Sequence, residues 1–386
     1  MGITRRKYLQ ATGGLAAVTA AGLTVPAWAQ TDDLDIPKTM VWSTYDVGSS
    51  GYVEASAVAD AFGKKYGTRV RLQPSGSSIG RLQPILRGRV PLGWLANEVF
   101  FASEGLYDFC TPEFGPQDVR TLMGRPSSYD IAVTKKSGIK TAKDLKGKRL
   151  AYAEANTSVN VKNDAILAFG GLTLGDMELV RVASYGASLK ALVEGRADAA
   201  GTSPSAATMF ELESSPNGLN WIPMPADDKE GWARATAEVP FVEPINETIG
   251  AGLSEDHPVP MLGYRYPMLT VRADSDPDWT YAMVKAMDGA FDLYKDTSKV
   301  MSRWSVKMAG TPPMDAALHE GAIRYFKELG QWGDDQQAWQ DGMLKRHAAL
   351  KDAWKTFIQS DAAKGADEDG LRSLWEEERK KVIASL

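Results

Sequence analysis

"TYDVGSSGYVEASAVADAF", residues 44–62, passes from a loop of small residues into a helix. Val53, Ala57, Val58, Ala61 and Phe62 recur at the spacing of one helical face, which predicts that this face is buried. A glycine- and serine-rich loop directly precedes the helix. Such a loop is typical of an N-cap, and it also suits anion binding, because the first N–H groups of a helix lack intrahelical partners. One loop does not decide between these interpretations.

Two further segments have the same order of strand, small polar loop and helix. They are "PSGSSIGR", residues 74–81, and "EANTSVN", residues 154–160. Strands that alternate with helices through short connections predict parallel-type sheets and the α/β class. In open α/β sheets, ligands bind beyond the carboxyl ends of the strands, where helix N-termini point. We therefore expect the three loops to line one anion-binding cleft between two lobes.

The order of these elements predicts a discontinuous domain organisation. The expected parts are lobe I at residues 38–130 and 245–300, lobe II at residues 131–244, and a C-terminal helical region at residues 301–386 that packs on lobe I. We expect a monomer, with a dimer through the C-terminal helices as the alternative.

The N-terminus has the pattern of an export signal. Arg5, Arg6 and Lys7 precede the apolar run at residues 13–25, and the small residues around Trp28 form a cleavage site that ends at Ala29. Residues 1–29 are therefore predicted to be a signal peptide cleaved after Ala29, which places the mature protein in the periplasm. The paired arginines are similar to a twin-arginine (Tat) signal, used for folded cargo, and an ordinary Sec signal is the alternative.

Charge and composition exclude several function classes. The formal charge is −5, and removal of the three basic residues of the signal leaves −8, which argues against nucleic acid as a partner. The single cysteine, Cys110, excludes an internal disulfide and a cysteine-based metal site, and we interpret it as a small buried hydrophobe. The three histidines have no metal-binding spacing. We expect no metal and no cofactor.

Four segments resemble the TAXI class of periplasmic solute receptors, which serve TRAP transporters. They occur in the family's order, and the resemblance extends from residue 39 to residue 330: "VGSSGYVEASAVADAF" (47–62), "SGSSIGRLQPILRGRVPLGWLANEVFFASEG" (75–105), "SGIKTAKDLKGKRLAYAEANTS" (137–158) and "HEGAIRYFKELGQW" (319–332). The resemblance implies the α/β fold of a type II periplasmic binding protein. In that fold two lobes with parallel-type sheets close around a solute, and here a helical C-terminal extension follows.

The resemblance also implies a function and partners. The expected function is to capture a small organic anion, a carboxylate or a dicarboxylate such as glutamate or 2-oxoglutarate, and to deliver it to the integral-membrane permease of a TRAP transporter. One alternative is the receptor of an ATP-driven importer for sulfonate- or nitrate-like anions. An enzyme on the same fold is the less favoured alternative, because the sequence has no nucleophile elbow.

Two departures from the family pattern bear on the ligand. Residues 156–159 replace a common Gly-Ser-Gly-Thr pattern, and Arg81 stands where an asparagine is common. We expect Arg81 to be the main charge partner of the ligand and to contribute little to folding; a solvated helix face is the alternative for this residue. The predicted ligand-binding residues are Tyr45, Gly48, Ser49, Ser50, Tyr52, Ser77, Ser78, Arg81, Asn156, Thr157, Ser158, Val159 and Ser203.

Overall fold

Strands and helices alternate through the first two thirds of the chain, in a computed structural model that describes residues 34–386. The predicted signal peptide, residues 1–29, lies outside the described residues. The elements up to the centre of the chain are β1 (Thr39–Thr44), α1 (Ser50–Tyr66), β2 (Arg69–Pro74), α2 (Ser78–Leu86), β3 (Leu92–Leu95), α3 (Glu98–Glu104), β4 (Val119–Thr134), β5 (Arg149–Ala153) and α4 (Thr157–Phe169). They are followed by β6 (Glu178–Val182), α5 (Tyr185–Val193), β7 (Ala199–Thr202), α6 (Ala207–Ser214), β8 (Leu219–Trp221), α7 (Lys229–Glu238), β9 (Glu243–Glu247) and β10 (Val259–Arg272).

The remainder of the chain is helical, as predicted. Its elements are α8 (Pro277–Gly289), α9 (Phe291–Tyr294), α10 (Val306–Ala309), α11 (Glu320–Glu328), α12 (Asp334–Phe357), α13 (Asp361–Gly365) and α14 (Glu368–Ala384). Residues 34–386 form one compact unit. Within these residues, every helix is too short or too polar to cross a membrane.

Strand β4 connects two sheets. The strand order is β2-β1-β3-β10-β4-β7-β5-β6, with β9 paired to β10 and β8 paired to β4. Residues 119–129 of β4 pair with β10, and residues 130–134 pair with β7 and β8. The α/β class, the two sheets and the helical C-terminal extension are those predicted for a type II periplasmic binding protein.

The sheets are mixed rather than purely parallel. Strand β1 is parallel to β2 and β3, and β5 is parallel to β6 and β7, whereas β10 is antiparallel to both β3 and β4. The reversal arises because β10 brings the chain back to the first sheet after the second sheet is complete. Periodicity along the sequence reports strands but not their direction.

Helix α1 buries most of the predicted apolar face, with Ala57 partly buried and Val53 the exception. Ala61, Val58 and Phe62 are buried, and the Phe62 ring meets the edge of Trp42 at 5.4 Å. Val53 is exposed, contrary to the prediction, because the buried face of α1 continues through Glu54 to Gly51. That face brings the first turn of α1 against β10, where the Gly51 N–H donates to the Tyr266 hydroxyl at 3.1 Å.

The C-terminal helices α12 and α14 pack against α3 and the segment after it. Trp354 and Trp375 meet edge to face at 4.8 Å in a small apolar cluster that includes the buried Cys110. The Trp375 indole donates to the Glu104 carbonyl at 3.0 Å. Arg346, from α12, is 2.7 Å from the Glu104 carboxylate. These contacts attach the extension to the end of α3.

Candidate functional site

The three loops singled out in the sequence form helix N-caps. The Ser49 hydroxyl accepts from the Tyr52 N–H at 3.2 Å, and the Ser77 hydroxyl accepts from the Gly80 N–H at 3.1 Å. The Asn156 side chain accepts from the Val159 N–H at 3.2 Å and begins α4. Each cap satisfies one orphan donor of its helix and leaves others directed beyond the strand ends.

Loops of the two sheets meet at these caps. The Ser78 N–H donates to the Ala155 carbonyl at 3.1 Å, and the Asn156 side chain donates to the Gly76 carbonyl at 3.1 Å. The opening loop makes a separate contact, because the Asp46 carboxylate accepts from the Gly186 N–H at 2.9 Å. The N-termini of α2 and α4 therefore face each other.

Arg81 lies at the junction of α2 and α4 and is fully buried. Its Nε donates to the Glu98 carboxylate at 2.8 Å, and its guanidinium lies 3.6 Å from the centre of the Tyr45 ring. The contacts of Nη2 are longer, 3.4 Å to the Ser78 hydroxyl and 3.5 Å to the Asn156 side-chain oxygen. Burial alone would raise the pKa of the Glu98 carboxyl, but the positive charge and hydrogen bond of Arg81 hold this pKa below its ordinary value.

This placement changes what Arg81 is expected to do. A solvated helix face is excluded, because both side chains of the Arg81–Glu98 pair are completely buried. The expectation that Arg81 contributes little to folding is wrong for the same reason, since its removal would leave a buried carboxylate without its counter-ion. Its Nη2 edge nevertheless remains directed at the N-termini of α2 and α4.

Lys162, in α4, is a second buried cation that the sequence analysis missed. Its Nζ donates to the Asn97 side-chain oxygen at 2.7 Å, to the Ser158 hydroxyl at 3.1 Å and to the Ser158 carbonyl. The rings of Tyr129 and Tyr264 lie 4.9 and 5.0 Å away. Within residues 34–386, Lys162 forms no ion pair with a carboxylate. Burial lowers its pKa to about 7.

Asn97 connects Lys162 to a buried acid. Its side-chain nitrogen donates to the Asp315 carboxylate at 2.7 Å, while its oxygen accepts from Lys162. Burial raises the pKa of Asp315 to about 7. Near neutral pH the cluster therefore contains the ion pair of Arg81 with Glu98 and two groups, Lys162 and Asp315, that change charge readily.

Two serine hydroxyls link the two cations. Arg81 Nη2 approaches the Ser78 hydroxyl, the Ser158 N–H lies 3.5 Å from the same oxygen, and Lys162 donates to the Ser158 hydroxyl. These groups are buried and belong to facing helix N-termini. Cationic side chains, hydroxyls and N-terminal N–H groups are together suited to bind an anionic oxygen. We refer to Ser78, Arg81, Ser158 and Lys162 as the cation cluster.

The other predicted site residues lie at different distances from the cation cluster. Tyr45 lies beneath Arg81, and Asn156 lies at its Nη2 edge. Gly48 accepts at its carbonyl from the Ala207 N–H at 3.1 Å, so the opening loop contacts the start of α6. Tyr52 is placed elsewhere, since it lines an open groove between α1 and β2.

The remaining predicted residues make other contacts or are simply buried. The Thr157 hydroxyl donates to Asp108 at 2.6 Å, and the Val159 carbonyl accepts from the Tyr129 hydroxyl at 3.1 Å. Ser203 is buried after β7, and its hydroxyl is 3.1 Å from that of Ser205. Ser50 is buried in the first turn of α1.

A row of tyrosines behind the cation cluster was also missed. Tyr45 contacts Tyr185 and Tyr266 edge to face, at 5.8 and 5.4 Å between ring centres. Tyr266 stacks on Tyr264 at 5.7 Å, and Tyr264 meets Tyr129 at 6.2 Å. The alternation of tyrosines in "YRYP", residues 264–267, is the sequence feature from which one face of a strand could have been predicted.

Metal binding has no support in the described part of the chain. Residues 34–386 contain no group of three histidine, cysteine, aspartate or glutamate side chains placed to hold a metal ion. The cation cluster consists of donors to anions rather than of metal ligands.

Comparison with known proteins gives one family and several similar folds. Residues 44–330 match the NMT1-like family. The alkanesulfonate-binding protein SsuA from Xanthomonas axonopodis pv. citri, solved with MOPS, is 17% identical, with 75% of this chain and 84% of that chain covered and a TM-score of 0.42. The aliphatic sulphonate binding protein SsuA from Escherichia coli is 14% identical, with coverage of 83% and 89% and a TM-score of 0.41. The GluR0 ligand-binding core from Nostoc punctiforme, solved with L-glutamate, is 12% identical, with coverage of 67% and 98% and a TM-score of 0.40.

Proposed function

The chain belongs to the NMT1-like family, and from this premise we propose that it is an exported receptor that captures a small organic anion for a membrane permease. One observation carries this proposal: Arg81 and Lys162 are two buried basic side chains on facing helices, and within residues 34–386 Arg81 is paired with the ionised Glu98 whereas Lys162 is paired with no carboxylate. A buried cation without a counter-ion is costly. A bound anion supplies the missing charge.

The proposed ligand position lies between the N-termini of α2 and α4. There the ligand would take the place of the Asn156 oxygen at Arg81 Nη2 and would accept from the Ser78 and Ser158 hydroxyls. A planar guanidinium suits a carboxylate, and Lys162 adds a compact point charge. Two cations favour a dicarboxylate such as glutamate or 2-oxoglutarate. We propose binding rather than catalysis for this site.

Access to this position requires the facing loops to separate. The contacts that hold them together are hydrogen bonds, including those from Ser78 to Ala155 and from Asn156 to Gly76, and these would break on opening. We propose that lobe I (residues 38–130 and 245–300) and lobe II (residues 131–244) open and close about the strands β4 and β10. The helical region at residues 301–386 would then move with lobe I, to which Glu104 attaches it.

We also propose which class of transporter receives the solute. The four segments that resemble TAXI receptors support a TRAP permease as the partner. The Arg81 side chain, which departs from that family's pattern, suits a sulfonate as well as a carboxylate, so the receptor of an ATP-driven importer is the second candidate. We also propose that the twin-arginine signal at residues 1–29 directs export and that the protein acts as a monomer in the periplasm.

A screen of thermal unfolding against small solutes tests the function. We expect glutamate, 2-oxoglutarate, succinate or a small sulfonate such as taurine to raise the melting temperature. A ligand present at 100 times its Kd adds about 2.7 kcal/mol to the free energy of unfolding. Neutral sugars and divalent metal ions serve as controls. Stabilisation by these controls alone would exclude an anion receptor.

Anion binding is also expected to take up protons at pH 8. Lys162, with a pKa of about 7, is mostly neutral there, and a bound anion raises its pKa by stabilising the charged form. Asp315 faces the same cluster with a pKa of about 7, so an anion shifts it towards protonation too, while Arg81 and Glu98 stay ionised. The binding enthalpies measured by calorimetry in phosphate and in Tris should differ. The difference should equal the difference between the two buffers' ionisation enthalpies, for about one proton or more. Identical heats in both buffers would contradict the involvement of Lys162.

A further inference from the structure

A cavity of about 380 Å³ lies between α3, α12, the strands β9 and β10, and residues 313–315. Its volume is within the range of small-molecule sites, about 300–1,000 Å³. Four aromatic rings from four segments contribute to its walls: Phe100, Phe241, Tyr264 and Trp339. Phe241 meets Phe100 at 5.1 Å between ring centres. Such walls suit an apolar body, and the faces of aromatic rings also attract a cation.

Asp315 presents one carboxylate oxygen to this cavity. The residue lines the cavity and is only 4% exposed. Its Oδ2 accepts from the Asn97 side-chain nitrogen at 2.7 Å. Its Oδ1 accepts from no donor within residues 34–386, yet this atom is not fully enclosed by protein, so it is open to the cavity. A carboxylate oxygen withdrawn from bulk water and without a donor is costly, and a donor bound in the cavity would offset that cost.

The other charged groups around the cavity are already engaged or exposed. Arg346 pairs with Glu104 at 2.7 Å, and Glu243 is exposed. The guanidinium of Arg265 lowers the pKa of Asp315 but forms no ion pair with it within residues 34–386. The Arg265 nitrogens instead donate to three backbone carbonyls at 2.8–3.0 Å, those of Gly124, Met308 and Thr311. With Asp315 ionised, three carboxylates face two guanidinium groups, so the lining carries a net negative charge.

We propose that this cavity is a second ligand site, which binds a small organic ammonium ion with an aromatic body. The ammonium group donates to Asp315 Oδ1, and the body lies among the four rings. A compact ammonium fits here because it supplies both the missing donor and the missing positive charge. The cation cluster contributes no residue to the lining of this cavity, so the proposal does not rest on the proposed function.

Calorimetric titration of the purified protein with 2-phenylethylamine tests the site. The measurement is made at pH 8, where Asp315, with a pKa of about 7, is mostly ionised and the amine is protonated. We expect one amine bound per chain, and binding of the uncharged 2-phenylethanol that is weaker by roughly tenfold or more. Asp315→Asn should weaken amine binding by a similar factor, because a hydrogen bond between charged groups is lost. Asp335→Asn, an exposed acid on α12, is the matched control.

A variant that fills the cavity gives a second test without altering Asp315. Met343→Trp, at a partly buried position on the wall, places a larger side chain in the space and should abolish amine binding. Thermal unfolding of both variants verifies that they are folded. In Asp315→Asn the new amide oxygen still accepts from Asn97, so the unfolding transition should be retained.

Three results would overturn the proposal. They are absence of amine binding, equal affinity of the amine and the alcohol, and equal affinity of Asp315→Asn and the unmodified protein. Loss of amine binding in Lys162→Met, with normal binding in Met343→Trp, would place the amine at the cation cluster and would also overturn it. The proposed function fails separately, since stabilisation by glutamate or taurine depends on Lys162 and should survive Met343→Trp.

Discussion

Arg81→Ala is expected to lower the free energy of unfolding by about 3–5 kcal/mol, because it leaves the Glu98 carboxylate buried without its counter-ion. The Tyr45 hydroxyl, 3.3 Å from Glu98, would still donate to this carboxylate, but it is uncharged. Urea denaturation followed by circular dichroism measures the change.

Arg87→Ala is the matched control for this experiment. Arg87 follows directly after the same helix, but its side chain is 49% exposed and paired with the exposed Glu113, so the loss should stay below about 1 kcal/mol. In a double variant, Arg81→Met with Glu98→Met, most of the loss should be recovered, because no unpaired charge remains. Similar, small losses for Arg81→Ala and Arg87→Ala would contradict the buried ion pair.

Lys162→Met is expected to weaken binding of the organic anion by roughly 30-fold or more. Loss of one partner of a desolvated charge pair costs on the order of 2–5 kcal/mol, and each 1.4 kcal/mol is tenfold in affinity. Stability should be unchanged or higher near pH 7, since methionine fills a similar volume and needs no solvation. Calorimetry with the anion found in the screen measures the affinity. Lys64→Met, at an exposed position on α1, is the control.

The pH dependence of stability gives an independent check of Lys162. Its pKa is about 7 in the folded protein and about 10.4 in an unfolded chain, so the unfolded state binds more protons between these values. The contribution of Lys162 to stability therefore rises as the pH increases from about 7 to 10, and Lys162→Met should lack this rise. Asp315 affects stability at lower pH. Burial raises its pKa in the folded protein to about 7, so its contribution to stability is lost as the pH rises from about 4 to 7. If the free energy of unfolding rises equally with pH in Lys162→Met and in the unmodified protein, and both bind the anion with equal affinity, Lys162 is only a packing residue.

The sequence predicted features that are encoded over short distances. The three polar loops became the caps Ser49, Ser77 and Asn156, because a cap needs only a suitable side chain two or three residues before the N–H it accepts from. His319, the first residue of the segment "HEGAIRYFKELGQW", likewise caps α11 by accepting from the Gly321 N–H. Val53 shows that even local patterns can mislead. Its spacing fits the apolar face of α1, but the packing of neighbouring elements determines which side of the helix is buried.

The electrostatics of the site could not be predicted in the same way. Glu98 is 17 residues from Arg81, and Asn97 is 65 residues from Lys162, so no local pattern indicates either contact. Arg81 was singled out as a ligand contact, yet its burial depends on Tyr45 and Glu98, which come from other elements. A lone lysine within the otherwise uncharged first two turns of α4, "TSVNVK", was the available indication of Lys162.

The central position of β10 has a consequence for synthesis of the chain. Strand β10 lies between β3 and β4, yet roughly 160 residues separate the end of β3 from its start. At about 5–20 residues per second, the ribosome needs roughly 10–30 s to make that stretch. Until β10 is made, β3 and, once it has been made, β4 each lack a partner along one edge, and such unpaired edges are templates for aggregation. A nascent chain stopped before residue 259 keeps both edges unpaired, so we expect it to aggregate more readily than a chain that includes β10.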